Sequence, residues 1–296
     1  MLIRRIPSTD ARLGRHVRHD PRSRAFAFPT AGLTLKSVRH TRRIPVLDQG
    51  QIGSCTGNAD IGALGTDPFF SVVAGADGVH RAFSRRAAVG TAYTLDEAGA
   101  VALYGDATRA DDYPGQYPPD DTGSDGLTIA KVLKAAGEIA GYQHTFSLQD
   151  ALLALTVTPF ITGTVWTNDM FEPDPDGRVH PTGAVAGGHE YVADEIDVER
   201  QRVWFTNSWG TGFGVQGRFW MTWDDYGTLL ADQGDVTIFT PLTQPAPVPT
   251  PTPPNADPAD VVFAAAFRTW EQHPRLFGSA RLKAAGNAWL AAKPWL

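Results

Sequence analysis

Ile44-Pro-Val-Leu-Asp-Gln49-Gly-Gln-Ile-Gly53-Ser54-Cys55-Thr-Gly-Asn-Ala59 contains the single cysteine of a 296-residue chain. With one cysteine there can be no intramolecular disulfide, so stability has to come from packing and hydrogen bonds. Pro45, Gly50 and Gly53 keep the approach irregular. From Thr56 to Leu64 the pattern reads as a helix beginning at the cysteine, although Gly57 and Gly62 lower its propensity. A thiol at a helix N-terminus lies at the positive end of the macrodipole, which favours its anion. Two further blocks stand out downstream. Gly187-Gly188-His189-Glu190-Tyr191-Val192 carries a histidine 134 residues after Cys55, and Val203-Trp-Phe-Thr-Asn207-Ser208-Trp209-Gly210-Thr-Gly212-Phe-Gly214 carries an asparagine 152 residues after it.

These three blocks, in this order and near this spacing, resemble the papain family of cysteine peptidases over about residues 44 to 240. The resemblance implies an α+β, two-lobe papain-like fold, in which a helical lobe carries the cysteine and an antiparallel β lobe carries the histidine and asparagine. It also implies a cysteine-type peptidase that hydrolyses peptide bonds through a thiolate–imidazolium pair and an acyl-enzyme. Only a thiolate attacks a carbonyl at a useful rate, and a neighbouring imidazolium stabilises it. By resemblance Cys55 is the nucleophile and His189 the general acid that protonates the departing amine. Asn207 orients the ring, Trp209 shields that bond from water, and the Gln49 amide with the Cys55 N–H forms the oxyanion hole. Gly53, Ser54, Gly188, Trp209, Ser124 and Asp125 are the expected substrate-binding positions, with Ser124 and Asp125 placed where the family has a strip that pairs with substrate backbone. Two positions depart from the family pattern. Ile52 replaces a second cysteine and Thr56 replaces an aromatic residue.

Composition agrees with a folded body. Hydrophobic residues make up 42% and charged residues 20%, and a net charge of -6 gives no whole-chain attraction to nucleic acid or anionic membrane. The first residues form no secretory signal and no apolar run is long enough to span a bilayer, so the expected setting is cytoplasmic or part of an assembly such as a virion. Residues 1–43, with ten arginines, read as an N-terminal arm; residues 44–240 read as the peptidase domain. Residues 241–258 form a Pro/Thr-rich linker, with seven prolines between Pro241 and Pro254, favouring polyproline II. Residues 259–296 read as a short helical docking segment, too small to hold a core alone.

Inside the body the pattern predicts helices over Leu127–Ala136 and over Leu148–Leu155, the second capped by Ser147, followed by antiparallel strands after Phe160. Gly212-Phe-Gly214-Val-Gln-Gly217 matches a dinucleotide-binding string, but the aromatic run Arg218–Trp223 that follows is strand-like, so the glycines read as a turn. Glu172–Gly177 imitates the start of a calcium loop, but its twelfth position is Gly183, and it reads as a hairpin tip. His16 and His19 lack further ligands nearby, so neither a metal nor a cofactor is expected. The expected partner is a polypeptide substrate; the apolar face of the C-terminal segment is expected to dock either on the main body or on a protein partner. The alternative is a papain-fold structural or binding component of a larger assembly, docked through its terminal segments.

Overall fold

The computed structural model describes residues 1–70 and 93–242. The chain divides into units Met1–Thr243 and Gln244–Leu296, and all described residues belong to the first. The part of the predicted Pro/Thr-rich linker beyond Leu242 and the helical segment predicted over residues 259–296 lie outside the described residues.

Three helices form one lobe. α1, Cys55–Leu64, is buried at every position. That burial explains how it tolerates Gly57, because a Cβ there would meet the Ala100 carbonyl oxygen at 2.3 Å. Close helix–helix approach outweighs the propensity cost of glycine. The partner helix α2, Glu97–Ala110, is capped by Asp96, whose carboxylate accepts from the Gly99 N–H. No periodic signal in its Ala/Gly-rich sequence had marked it. α3 spans Gly126–Ala135, one residue N-terminal of the predicted bounds, and Asp125 caps it through the Thr128 N–H. Leu47, Ile61, Leu64, Leu103, Ile129 and Leu133 pack between these helices and the sheet.

The sheet forms the second lobe. Its strands are β4 (Gly141–His144), β5 (Phe160–Thr167), β6 (Val185–Asp197), β7 (Arg202–Thr206), β8 (Arg218–Thr222) and β9 (Asp235–Thr240), in the order β4-β9-β5-β6-β7-β8. Every pairing along it is antiparallel. All eight residues of β5 are buried, as a strand covered on both faces requires. α4, Leu148–Leu155, begins at the Ser147 cap as predicted. α5, Trp223–Ala231, interrupts the strand half; the Thr222 hydroxyl caps it, with Asp224 and Asp225 in its first turn. Trp166, Tyr191, Phe205, Phe219 and Tyr226 fill the interior of this lobe.

The N-terminal residues are built into the same unit. β1 (Leu2–Arg4) pairs with β2 (Val17–His19), and β3 (Val38–Arg39) joins the sheet beside Ile196 of β6. Ile6, Leu13 and Val17 are buried in the β-lobe core.

Candidate active site

Each lobe contributes one half of the site. Ser54 precedes α1 and donates its hydroxyl to Asn58 Oδ1 at 2.8 Å, leaving Cys55 as the first residue of the helix and fully buried. His189 sits midway along β6, opposite Thr164 of β5. Asn207 follows the end of β7, and the antiparallel β6–β7 pairing brings it beside the histidine. His189 Nε2 and Asn207 Oδ1 are 2.7 Å apart. The Ser208 N–H also donates to Asn207 Oδ1, at 2.8 Å, which identifies that atom as an acceptor. His189 Nε2 therefore carries the proton, and Nδ1 keeps its lone pair when the ring is neutral. Nδ1 is buried with no hydrogen-bond partner among the described residues. Trp209 lies 4.7 Å from the His189 ring between centroids, and Trp166 closes the other side at 5.0 Å. Both exclude water from the His189–Asn207 bond.

Gln49 is fixed at both ends of its amide. The Ser208 hydroxyl donates to its Oε1 at 2.7 Å, and its Nε2 donates to the carbonyl of Ile52 at 2.7 Å and of Arg12 at 3.0 Å. The second acceptor is a peptide carbonyl of the N-terminal arm. From there the arm runs through the site. The Ser124 N–H donates to the Gly14 carbonyl at 2.9 Å, the His16 N–H to the Ser124 carbonyl at 2.7 Å, and the Arg15 N–H to the Gly188 carbonyl at 3.0 Å. Gly14 presses so closely on Gly53 that a Cβ would lie 2.0 Å from the Gly53 carbonyl oxygen. The Arg12 guanidinium stacks 4.3 Å from the Trp209 ring centroid and pairs with Asp10.

This cover sets the protonation states. Burial pushes the Cys55 thiol up to about 12, and the Glu190 charge adds to the rise, against hydrogen bonds from the backbone at Glu190, Gly14 and Thr56. Burial pulls His189 down to about 4, outweighing the Asn207 hydrogen bond that favours the cation, and the Arg12 charge lowers it further. At neutral pH both groups are uncharged. Burial disfavours both charges of the ion pair expected from the sequence, and the Asn207 hydrogen bond offsets only part of it at His189.

The remaining predicted positions divide. Ser124 and Gly188 offer main-chain groups to the arm. The Gly53 N–H donates to Asp121 at 2.8 Å, and Tyr104 donates to the same carboxylate at 2.6 Å. The Asp125 side chain is spent on capping α3, with bonds from Thr128 N–H and Oγ1 at 2.8 and 2.9 Å. Residues not singled out from the sequence also belong to the site: Arg12, Gly14 and Arg15 of the arm, Ser208, which holds Gln49, and Glu190 and Asp235. A cavity of about 580 Å³ is lined by Arg18, Asp125, Gly126, Leu148 and Asp235, among others, and by none of Gln49, Cys55, His189 and Asn207. Arm backbone instead contacts Gln49, Cys55, Ser124 and Gly188.

No protein-family model matches the chain, and no curated protein sequence matches it. Solved structures do. Xylellain, a cysteine protease from Xylella fastidiosa, superposes with a TM-score of 0.59 at 18% identity, covering 80% of this chain and 98% of its own. Procathepsin L 3 from the larval midgut of Tenebrio molitor aligns at 13% identity and a TM-score of 0.48, covering 80% of this chain and 76% of its own. The likeness to xylellain carries the fold: the described unit has the two-lobe, α+β papain-like architecture.

Proposed function

We propose that the chain is a papain-like cysteine peptidase, closed by residues 10–16 of its own N-terminal arm. One observation carries this reading. The Gln49 amide donates to a main-chain carbonyl, that of Arg12, at 3.0 Å, inside a cleft that also holds a helix-terminal thiol and an Asn207-bound imidazole. An amide donor fixed by Ser208 and aimed at a peptide carbonyl is what stabilisation of a developing oxyanion requires.

When the arm leaves, water re-enters and the desolvation that keeps both groups neutral falls. Cys55 then gives its proton to His189 Nδ1, the atom whose lone pair is free, and Nε2–H stays bonded to Asn207. The sulfur attacks the substrate carbonyl. The oxyanion takes hydrogen bonds from Gln49 Nε2 and the Cys55 backbone N–H. His189 returns the proton to the amine nitrogen as the C–N bond breaks, leaving a thioester on Cys55. A water molecule, deprotonated by His189, attacks the thioester and expels the thiolate.

The test uses an epoxysuccinyl reagent on chains whose arm has been displaced by Gly14→Ala. Cys55 should alkylate faster than glutathione at neutral pH, and His189→Ala should remove the acceleration. Labelling at the glutathione rate in both chains would refute the pair.

A further inference from the structure

Arg15 is fully buried, which for a guanidinium demands a built receptor. Its Nη2 donates to the Gln233 carbonyl at 2.8 Å and pairs with Asp235. A Cβ added to Gly163 of β5 would lie 2.5 Å from Arg15 Nε and 2.6 Å from Glu190 Oε2, so a glycine clears the space where guanidinium and carboxyl approach. Gly126, at the start of α3, likewise leaves room for the other Glu190 oxygen, 2.6 Å from where its Cβ would stand. Burial by itself lowers the Arg15 guanidinium, and the neighbouring carboxyls, Asp235 foremost, bring it above its ordinary value, while burial raises the Glu190 carboxyl itself well above 4.5.

Two features set this pocket apart from a structural ion pair of the arm. Its walls, Gly163, Glu190, Asp235 and Gly126, come from β5, β6, β9 and α3, so they stay when the arm goes. Glu190 follows His189 on β6 with its side chain on the opposite face of the strand, and its backbone lies against the Cys55 thiol, which puts the pocket next to the proposed nucleophile. The arm also reaches it by main-chain bonds at Gly14, Arg15 and His16 that any extended peptide makes. Only the side chain at position 15 is read. Arg15 Nε and Nη1, both Glu190 oxygens and Asp235 Oδ1 keep unused hydrogen-bonding capacity; Arg15 is paired with Asp235, while Glu190 stands beside it without a direct bond.

We propose that the Glu190–Asp235 pocket is a specificity pocket for an arginine side chain of the polypeptide substrate, and that Arg15 is its resident placeholder. The word substrate rests on the peptidase reading; recognition of arginine does not. Lysine is a poorer occupant, because a point charge cannot present separate donors to a carbonyl and a carboxylate as a planar fork does.

Two measurements separate the claims. The first digests a denatured proteome with the Gly14→Ala chain, whose arm is displaced, and reads residues flanking each cut by mass spectrometry. Arginine should be enriched at one position within two residues of the cleaved bond, and Asp235→Asn should flatten that enrichment. Cleavage without it overturns the pocket and keeps the peptidase; no cleavage overturns the peptidase reading. The second needs no catalysis. A synthetic peptide copying residues 8–19 is titrated into the full chain carrying Gly14→Ala, Arg15→Ala and Cys55→Ala, beside the same peptide with citrulline at position 15. Arg15→Gln replaces Arg15→Ala if circular dichroism shows the latter unfolded. The arginine peptide should bind about 10-fold tighter or more, as charge-assisted hydrogen bonds imply, and Asp235→Asn should close the gap. Equal binding of the two peptides, or binding of neither, overturns the proposal.

Discussion

Gly14→Ala tests the closed cleft with a single methyl group. The added Cβ would stand 2.0 Å from the Gly53 carbonyl oxygen, 2.6 Å from its carbon and 2.7 Å from its Cα. All three atoms are backbone, on the segment leading into α1, so the arm has to yield. The bonds nearest the clash are Ser124 N–H to the Gly14 carbonyl and His16 N–H to the Ser124 carbonyl, at 2.9 and 2.7 Å. At about 1 kcal/mol net each their loss weakens closure by about 2 kcal/mol, within the 1–3 kcal/mol usual for overpacking. At 1.4 kcal/mol per decade this raises the open population about 30-fold. Cys55 is fully buried, so alkylation by iodoacetamide reads that population when closing is fast. The assay follows the alkylation rate at neutral pH in the parent chain, in Gly14→Ala and in Gly212→Ala, where a Cβ meets nothing within 4 Å. Gly14→Ala should react about 30-fold faster and Gly212→Ala no faster. Equal rates in all three, with Gly14→Ala still folded, would refute closure by the arm.

Other expectations follow from the same contacts. Gln49→Ala should lower kcat by about 10²–10³, the usual cost of losing one oxyanion donor, with Cys55 alkylation in the Gly14→Ala background changed far less. Asn207→Ala leaves His189 Nε2 without its acceptor and should reduce kcat by about 10-fold or more, as loss of a correctly held base implies. Alkylation of the parent chain should keep rising with pH well past the ordinary thiol range, because burial holds Cys55 near 12; in Gly14→Ala the midpoint should move down. Asp60 is fully buried with no hydrogen-bond partner among the described residues, and burial holds its carboxyl well above the usual value of 3.8. Its folded pKa exceeds its unfolded one, so stability is undiminished below about pH 4 and declines as pH rises toward the folded value. Asp60→Asn should raise Tm at pH 7 and leave it unchanged at pH 3.5.

The proposed machinery was legible because its parts sit in short local motifs: a glycine-rich approach to a helix-terminal cysteine, a histidine after two glycines, an asparagine before Ser208 and Trp209. Ser147 as a cap placed α4 to the residue. What escaped depends on tertiary contact. α2 lacks a strong apolar periodicity because its small residues, Gly99, Ala100 and Ala107, serve close packing. α5 lay inside a run rich in aromatic residues, where the Thr222 cap was outweighed by the strand-like pattern before it. The arm was recognised as a segment, but its path was not. Its arginines suggest a solvated charge run, and nothing local shows that Arg15 meets Asp235, 220 residues away. For the same reason the burial that opposes both charges of the pair implied by the resemblance was not legible, since desolvation depends on what surrounds a group.

The most direct test of a peptidase in this cleft is mass spectrometry of a denatured protein mixture incubated with the Gly14→Ala chain, and with Gly14→Ala combined with Cys55→Ala. New internal peptide termini should accumulate in the first incubation and be absent from the second. No new termini from the first, or the same termini from both, would contradict it.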